Sequence, residues 1–247
     1  MPVWCPAKVI EKQVWTEGLF TLKITGCEVQ PYEPGQFLHL AVEDGERIIN
    51  RPYSAASPHG ESLEFFIVVV PEGELTPKLW QLQPGDTVKV SQKGAGGFTL
   101  SKAPEGEVLW LMSTGTGLAP YIAMLRTKTP WERYKKIVVV HGVRFIRDFG
   151  YEPELRALEE QHPGRFVYIQ ASTRDTHEKA IVGRLNHCLD NGSLEQAAGS
   201  ELRPENSVVM LCGNPDMLNE MESRLQARGM KHHRSKTPGH IVTERYW

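Results

Sequence analysis

The chain has 247 residues, of which 40% are hydrophobic and 23% are charged, and its formal net charge is −2. These values are typical of a folded chain of one or two domains, and the near-neutral charge argues against nucleic acid as a partner. No apolar run approaches the roughly 18 residues of a membrane-spanning helix, and the first residues do not resemble a signal peptide. We therefore expect a cytoplasmic protein that does not enter the membrane.

The four cysteines are scattered along the chain without CxxC spacing. The sequence therefore indicates neither a disulfide framework nor a zinc site. No pair of histidines has metal-ligand spacing beside carboxylates, so no metal site is expected.

The first hundred residues contain six short runs of strand length with turn signals between them. The runs cover residues 8–14, 19–24, 37–41, 47–50, 63–70 and 87–90. Six strands with short connections predict an antiparallel β-barrel.

The fourth run is followed directly by a segment that combines a cation, an aromatic ring and a hydroxyl. Its residues are Arg51, Pro52, Tyr53 and Ser54. An arginine can pair with a phosphate, and a tyrosine can stack on a planar ring whose edge the serine hydroxyl reaches. A flavin nucleotide needs all three contacts. The alternative is a surface arginine beside a packed tyrosine.

A short helix is predicted to begin at Thr76, with Thr76 as N-cap and Pro77 as the first helical residue, and to end at Leu82. Its N-terminus would suit a phosphate, although capping alone also explains the pattern.

After residue 107 the pattern changes to alternating strands and helices. Strands are predicted at residues 108–112, 137–141, 166–170 and 208–212, and helices at 119–126, 151–161 and 215–228. Such alternation predicts a doubly wound parallel sheet with helices on both faces. The expected domains are therefore residues 1–101 and 102–247.

Residues 113–117, Ser-Thr-Gly-Thr-Gly, connect the first predicted strand of this second domain to a helix. Such a turn lets the backbone approach a pyrophosphate closely. Pro120 occupies the place of the third glycine of a Rossmann fingerprint, so an ordinary strand–helix turn is the alternative.

Arginines follow the ends of the next strands: Arg144 after the second and Arg174 after the third, with Arg184 ten residues later. Ligands of open α/β sheets lie beyond the carboxyl ends of the strands. Cations there suit the ribose 2′-phosphate of NADP, whereas the alternative is a solvated loop.

Cys212 ends the last predicted strand, either as a core side chain or with its sulfur against a reacting ring. The chain ends in two aromatic residues, Tyr246 and Trp247, which indicates a docked tail that covers a flavin or joins the two domains.

Five segments in this order resemble the bacterial-type ferredoxin/flavodoxin–NADP reductases. They are RPYS at 51–54, FFIVVVPEGELTPKL at 65–79, STGTGLAP at 113–120, VMLCGNPDM at 209–217 and TERYW at 243–247. The resemblance implies a flavin-binding barrel followed by an NADP-binding doubly wound domain, with FAD and NADP(H) as cofactors.

The resemblance also implies the site residues. The expected FAD set is Arg51, Pro52, Tyr53, Ser54, Val68, Val70, Leu75, Thr76, Thr114, Tyr246 and Trp247. The expected NADP set, with Thr114 shared, is Thr116, Val143, Arg144, Thr173, Arg174, Arg184, Asn214 and Asp216. Catalytic roles fall to Ser54, which would reach the flavin N5, and to Cys212 and Glu244 beside the nicotinamide. Trp247 follows the aromatic that stacks on the flavin in some relatives, which leaves the role of Tyr246 open.

The implied activity is exchange of a hydride with NADP(H) and of single electrons with an acidic ferredoxin or flavodoxin. The sequence leaves the oligomeric state open, with a monomer as the default expectation. A candidate basic docking surface contains Arg126, Lys128, Arg133, Lys135, Lys136 and the run 231–236. The alternatives are an NADPH-dependent reductase component of an oxygenase, a diaphorase, and a non-catalytic FAD-binding sensor or electron-transfer subunit.

Overall fold

The computed structural model describes residues 2–245, which form two compact units. The first unit holds the chain up to Leu100 together with Ala119–Thr127. The second holds Ser101–Leu118 and the chain from Lys128 onward.

The first unit is built on a six-stranded antiparallel sheet. Its strands are β1 (Trp4–Thr16), β2 (Leu19–Thr25), β3 (Phe37–Asp44), β4 (Arg47–Ser54), β5 (Leu63–Val68) and β6 (Thr87–Ser91), in the order β4-β3-β6-β1-β2-β5. The chain after edge strand β4 bonds back to edge strand β5: the Ala56 N–H donates to the Glu64 carbonyl over 2.8 Å. The unit also contains helices α1 (Thr76–Gln81) and α2 (Ala119–Leu125).

The core of this unit follows from the two-residue period of its strands. Phe20, Leu22 and Ile24 alternate along β2 and are fully buried, and Phe65 and Ile67 of β5 pair with the first two of them. A period of two places such residues on one face of the sheet. Burial of each side chain contributes about 1.5–3 kcal/mol to folding.

The second unit is built on a parallel sheet of six strands. They are β7 (Val108–Thr114), β8 (Lys136–Val143), β9 (Phe166–Ser172), β10 (Ala180–Val182), β11 (Ser207–Gly213) and β12 (Ile241–Arg245), in the order β10-β9-β8-β7-β11-β12. Its helices are α3 (Thr129–Arg133), α4 (Glu152–Gln161), α5 (Leu185–Asp190), α6 (Ser193–Ala198) and α7 (Pro215–Ala227). The predicted fold class, antiparallel barrel followed by a parallel α/β sheet, is confirmed.

The strand order contains one topological switch point. The chain moves outward from β7 through β8 and β9 to β10, and then returns to the other side of β7 to form β11 and β12. In open α/β sheets the carboxyl ends of the strands at such a point form a ligand-binding crevice.

The prediction ended the fourth strand at residue 50, but β4 continues through Ser54, so the Arg-Pro-Tyr-Ser motif lies within a strand. Proline has no N–H to donate to a neighbouring strand, so it disrupts a strand that is paired on both sides. Strand β4 tolerates Pro52 because β4 lies at the edge of the sheet.

Thr76 was predicted as the N-cap of α1, and this was wrong: Leu75 is the N-cap and Thr76 is already helical. The Thr76 hydroxyl instead accepts the Val70 N–H over 2.8 Å. A threonine hydroxyl satisfies whichever backbone donor lies closest, and here that donor comes from the preceding loop.

The cysteine spacing indicated no disulfide framework, but the structure contains a disulfide. Cys5 of β1 and Cys27, which follows β2, are joined as a disulfide with their Cα atoms 5.6 Å apart. The pairing of β1 with β2 brings together two cysteines that lie 22 residues apart, and spacing along the sequence does not reveal this.

Candidate functional site

The first unit presents Arg51 and Tyr53 on edge strand β4. The exposed guanidinium of Arg51 donates to the Asn50 carbonyl over 2.7 Å and lies 3.7 Å from the Glu74 carboxylate. Burial raises the pKa of the half-buried Tyr53 phenol to about 12, against the opposing effect of Arg51, so this ring is uncharged. Ser54 is buried at the end of the strand. A cation beside a neutral aromatic ring suits the phosphate and the ring system of a flavin nucleotide.

The predicted FAD residues between the end of β5 and the start of α1 are of two kinds. Val68 and Val70 are 42% and 51% exposed and offer apolar surface that a planar ring could cover. Leu75 packs in the core, and the buried Thr76 bonds to Val70 through its hydroxyl. Leu75 and Thr76 therefore shape the loop, and their side chains offer a ligand little surface.

In the second unit, two glycine-containing turns meet at the switch point. A Cβ added to Gly213, whose φ is +135°, would lie 2.3 Å from the Thr114 Oγ1. A Cβ on Gly117 would lie 2.5 Å from the Cys212 carbonyl oxygen. The Asn214 N–H donates to the Thr114 Oγ1 over 2.9 Å. Only glycine permits this close packing, which forms the backbone cradle that a pyrophosphate requires.

Asn214 begins helix α7 as its N-cap. Its Oδ1 accepts the N–H groups of Asp216 and Met217 at 2.8 and 3.3 Å. Asp216 is exposed in the first turn, where a negative charge complements the helix dipole. Thr116 is half-buried within the preceding glycine turn. The structure thus brings Thr114 and Asn214 into direct contact, with Thr116 and Asp216 in the adjacent turns.

His141 contacts the same glycine turn, a role that the sequence analysis missed. Its buried imidazole lies with Nε2 3.0 Å from the Gly115 carbonyl oxygen, so Nε2 carries the proton and donates. Burial lowers its pKa to about 4, so the ring is neutral near pH 7. The only sequence signal was a histidine at the end of the apolar run 137–141.

The predicted arginines lie at the carboxyl ends of three neighbouring strands. Val143 of β8 pairs with Ser172 of β9, which pairs with Val182 of β10. Arg144 follows Val143 directly, and Thr173 and Arg174 follow Ser172. Arg184 comes after Val182 with one residue, Gly183, between them. The three arginines are exposed, and within residues 2–245 no carboxylate lies within 4.0 Å of their guanidinium nitrogens. Val143 itself is buried.

Cys212 and Glu244 lie side by side, because they are register partners of β11 and β12. Cys212 has no exposed surface, which favours the core-packing interpretation of its thiol. Glu244 is half-buried. The next residue, Arg245, anchors β12 on α7 through the Asn219 side chain at 2.8 Å. Tyr246 and Trp247, predicted to contact the flavin, lie outside the described residues.

The predicted basic docking surface contains cations of two kinds. Arg126, Arg133 and Lys135 form ion pairs with Glu64, Glu105 and Glu107 respectively. In the run 231–236, the cations Lys231, Arg234 and Lys236 are exposed and form no ion pair with the described residues.

None of the helices within residues 2–245 has the length and apolarity to cross a bilayer. In the same residues no group of three or more metal-ligating side chains could hold an ion.

Comparison with known proteins identifies the two halves of the chain. Residues 8–98 match the family model of the oxidoreductase FAD-binding domain, and residues 111–223 match that of the oxidoreductase NAD-binding domain. The chain is 39% identical over 250 residues to the flavodoxin/ferredoxin–NADP reductase of Shigella flexneri and 38% identical to that of Escherichia coli, with complete coverage of all chains.

A solved structure agrees with these matches. The chain superimposes on a crystal structure of a ferredoxin NADP+ reductase from Neisseria gonorrhoeae with bound FAD and NADP, with a TM-score of 0.94 and 28% identity over 99% of each chain. The predicted FAD-binding and nicotinamide-nucleotide-binding architecture is confirmed.

Proposed function

This chain belongs to the flavodoxin/ferredoxin–NADP reductase family of oxidoreductases, and we propose that it exchanges a hydride with NADP(H) and single electrons with a ferredoxin or flavodoxin. Bound FAD supplies the conversion between two-electron and one-electron chemistry. The protein's own residues bind the two nucleotides, orient them and stabilise the charge that develops during transfer.

The row of Arg144, Arg174 and Arg184 carries the proposal. Three exposed guanidinium groups without carboxylate partners follow three adjacent strands. Guanidinium groups bind phosphate through charge-assisted hydrogen bonds, and a 2′-phosphate is the group that distinguishes NADP from NAD. Thr173 and Val143 complete this subsite beside them.

We assign the remaining residues by the two predicted domains, with FAD held chiefly by residues 1–101 and NADP by residues 102–247. Arg51 would pair with the FAD pyrophosphate, Tyr53 would stack on its ring system, and Ser54 would reach N5. Val68 and Val70 would offer apolar surface to the FAD ring system. The cradle formed by Thr114, Thr116 and Asn214 would receive the NADP pyrophosphate, since its backbone packing admits no side chain at Gly117 or Gly213. Asp216 would contact the nucleotide away from the pyrophosphate, because two anions repel.

Glu244 has the catalytic role in this assignment. Loss of a hydride from NADPH leaves a positive charge on the nicotinamide, and a nearby carboxylate stabilises such a charge. Cys212, its register partner on β11, is fully buried and would support Glu244 beside the nicotinamide. Tyr246 and Trp247, next along the chain, are proposed to cover the flavin.

For the protein partner we propose the exposed cations Lys231, Arg234 and Lys236 as the docking surface. They form no ion pairs with the described residues, so an acidic partner would find them available. Docking through exposed charges weakens with ionic strength. We further propose that the enzyme is a monomer of the cytoplasm.

The test is an anaerobic stopped-flow record of flavin bleaching with NADPH and with NADH, followed by reduction of purified ferredoxin and flavodoxin at increasing salt. We expect fast bleaching with a strong preference for NADPH, and acceptor reduction that slows as salt increases. Bleaching without acceptor reduction would favour a diaphorase or an oxygenase component. Absence of bleaching would favour a non-catalytic FAD-binding protein.

A further inference from the structure

One carboxylate connects the two loops that carry Arg144 and Arg174. Both oxygens of Asp175 accept the backbone N–H of Ile146, at 3.0 and 3.1 Å. Ile146 lies two residues after Arg144, and Asp175 follows Arg174 directly. The Asp175 side chain therefore joins the two phosphate-binding loops to each other.

Backbone bonds extend the pairing of β8 and β9 into these loops. The Thr173 N–H donates to the Val143 carbonyl over 3.2 Å, and the Arg174 N–H donates to the Arg144 carbonyl over 2.9 Å. The Ser172 hydroxyl donates to the carbonyl of Asp175. The Asp175 side chain adds the next link beyond these bonds, where the sheet has already ended.

The residue between Arg144 and Ile146 is aromatic and contacts the second arginine. The guanidinium of Arg174 lies 5.6 Å from the centre of the Phe145 ring, and that of Arg147 lies 5.0 Å from it. The Phe145 N–H bonds to the Asp148 carboxylate over 3.3 Å. Asp175 thus fixes a loop whose aromatic ring in turn orients the Arg174 side chain.

We propose that Asp175 is a positioning residue for 2′-phosphate recognition, which holds Arg144 and Arg174 on one surface and thereby sets the preference for NADP over NAD. This inference rests on the proposed function of these arginines. Asp175 cannot serve by touching the phosphate, because two anions repel. It acts through the geometry of the two loops.

The proposal separates two opposing effects of Asp175. Its negative charge alone would weaken the binding of a phosphate, so removal of the charge would strengthen binding. Its hydrogen bonds to Ile146 order the loops, so removal of the acceptor would weaken binding. Asparagine removes the charge but keeps one acceptor oxygen, whereas alanine removes both.

The experiment is calorimetric titration of the intact holoenzyme with adenosine 2′,5′-bisphosphate and with adenosine 5′-monophosphate. The variants are Asp175→Ala and Asp175→Asn, with Glu178→Gln as the control that removes an exposed charge three residues away. We expect Asp175→Ala to weaken bisphosphate binding about tenfold, with monophosphate binding changed less than about twofold. Asp175→Asn should restore most of the lost affinity.

Two results would overturn the inference in distinguishable ways. If both Asp175 variants bind the bisphosphate as tightly as the unmodified enzyme or more tightly, Asp175 acts only through its charge and the positioning role fails, while the role of the arginines stands. If the unmodified enzyme does not distinguish the bisphosphate from the monophosphate, the 2′-phosphate site itself fails, and the role of Asp175 fails with it.

Discussion

Cys212 and Glu244 are register partners in the parallel ladder between β11 and β12, so a half-buried carboxylate lies beside a fully buried cysteine. Arg245 fixes the same strand to α7 through Asn219 at 2.8 Å and lies 3.7 Å from the Glu222 carboxylate. The strand pairing and this anchor therefore hold the backbone of Glu244 in place.

Replacement of Glu244 tests its charge-stabilising role. Because Glu244→Gln keeps the shape and removes the charge, we expect hydride transfer from NADPH to slow about tenfold or more. Affinity for NADPH should change less than about twofold, because its reduced nicotinamide carries no positive charge for the carboxylate to stabilise. Single-turnover stopped-flow measures the rate, with Glu205→Gln as an exposed control. An unchanged rate would exclude Glu244 from catalysis.

Removal of one arginine of the proposed 2′-phosphate site should weaken the binding of NADPH but not that of NADH. We expect Arg184→Ala to raise the KM for NADPH about tenfold, because a charge-assisted hydrogen bond contributes about 1.5–3 kcal/mol. The KM for NADH should stay within about twofold. The matched control is Arg203→Ala, an exposed arginine that pairs with Glu201. Equal effects on both nucleotides would contradict the assignment of Arg184 to the 2′-phosphate.

The Glu74 carboxylate would compete with the FAD pyrophosphate for Arg51. Its carboxylate lies 3.7 Å from Arg51 and 4.0 Å from Arg47, and all three side chains are exposed. We expect Glu74→Gln to tighten FAD binding to the apoprotein by about twofold to fivefold, because exposed ion pairs contribute less than about 1 kcal/mol. Glu72→Gln is the control, because Glu72 lies in the same loop and forms no ion pair with residues 2–245. Fluorescence titration at two salt concentrations measures the affinity, and weaker FAD binding by Glu74→Gln would reverse our interpretation.

The close contact between Gly213 and Thr114 predicts a specific destabilisation. A Cβ at Gly213 would lie 2.3 Å from the Thr114 Oγ1, whereas one at Gly192 would meet nothing within 4 Å. Both glycines have positive φ, so Gly192→Ala reports strain alone. We expect Gly213→Ala to lower the free energy of unfolding by about 1–3 kcal/mol more than Gly192→Ala, and to weaken NADP+ binding. Equal losses in denaturant titration would show that the cradle can relax.

His141 predicts a dependence of stability on pH. Its folded-state pKa is about 4, below the ordinary value of 6.5, because burial disfavours the charged ring. Between these two pH values the unfolded chain binds more protons than the folded chain. The contribution of the neutral His141 ring to folding stability is therefore complete above pH 6.5 and is lost as the pH falls toward 4. The expected loss is about 3 kcal/mol, at 1.36 kcal/mol per pKa unit.

Denaturant titrations from pH 7 to pH 4 measure this slope. We expect His141→Gln, which retains a donor for the Gly115 carbonyl, to flatten the slope even if it lowers the stability overall. The control His187→Gln changes an exposed histidine and should leave the slope as it is. A slope that persists in His141→Gln would assign the titration to other groups.

Most elements of regular structure followed from local pattern. The six strands of the first unit and the four central strands of the second were predicted from apolar periodicity, because their side chains are buried on at least one face. The short strands β10 and β12 and the helices α3, α5 and α6 were missed. Three to six residues are too few to show a period, and these segments are ordered by their neighbours.

The sequence by itself determined the two fold classes, the family resemblance and the identity of the candidate cations, since these depend on composition, periodicity and motif order. Only the tertiary structure decided which of those residues meet. In the folded chain Cys5 is joined to Cys27, and the Thr76 hydroxyl accepts the Val70 N–H. Three arginines follow adjacent strand ends, and Asp175 joins two of their loops. Contacts between distant segments depend on strand order and register, which no local pattern specifies.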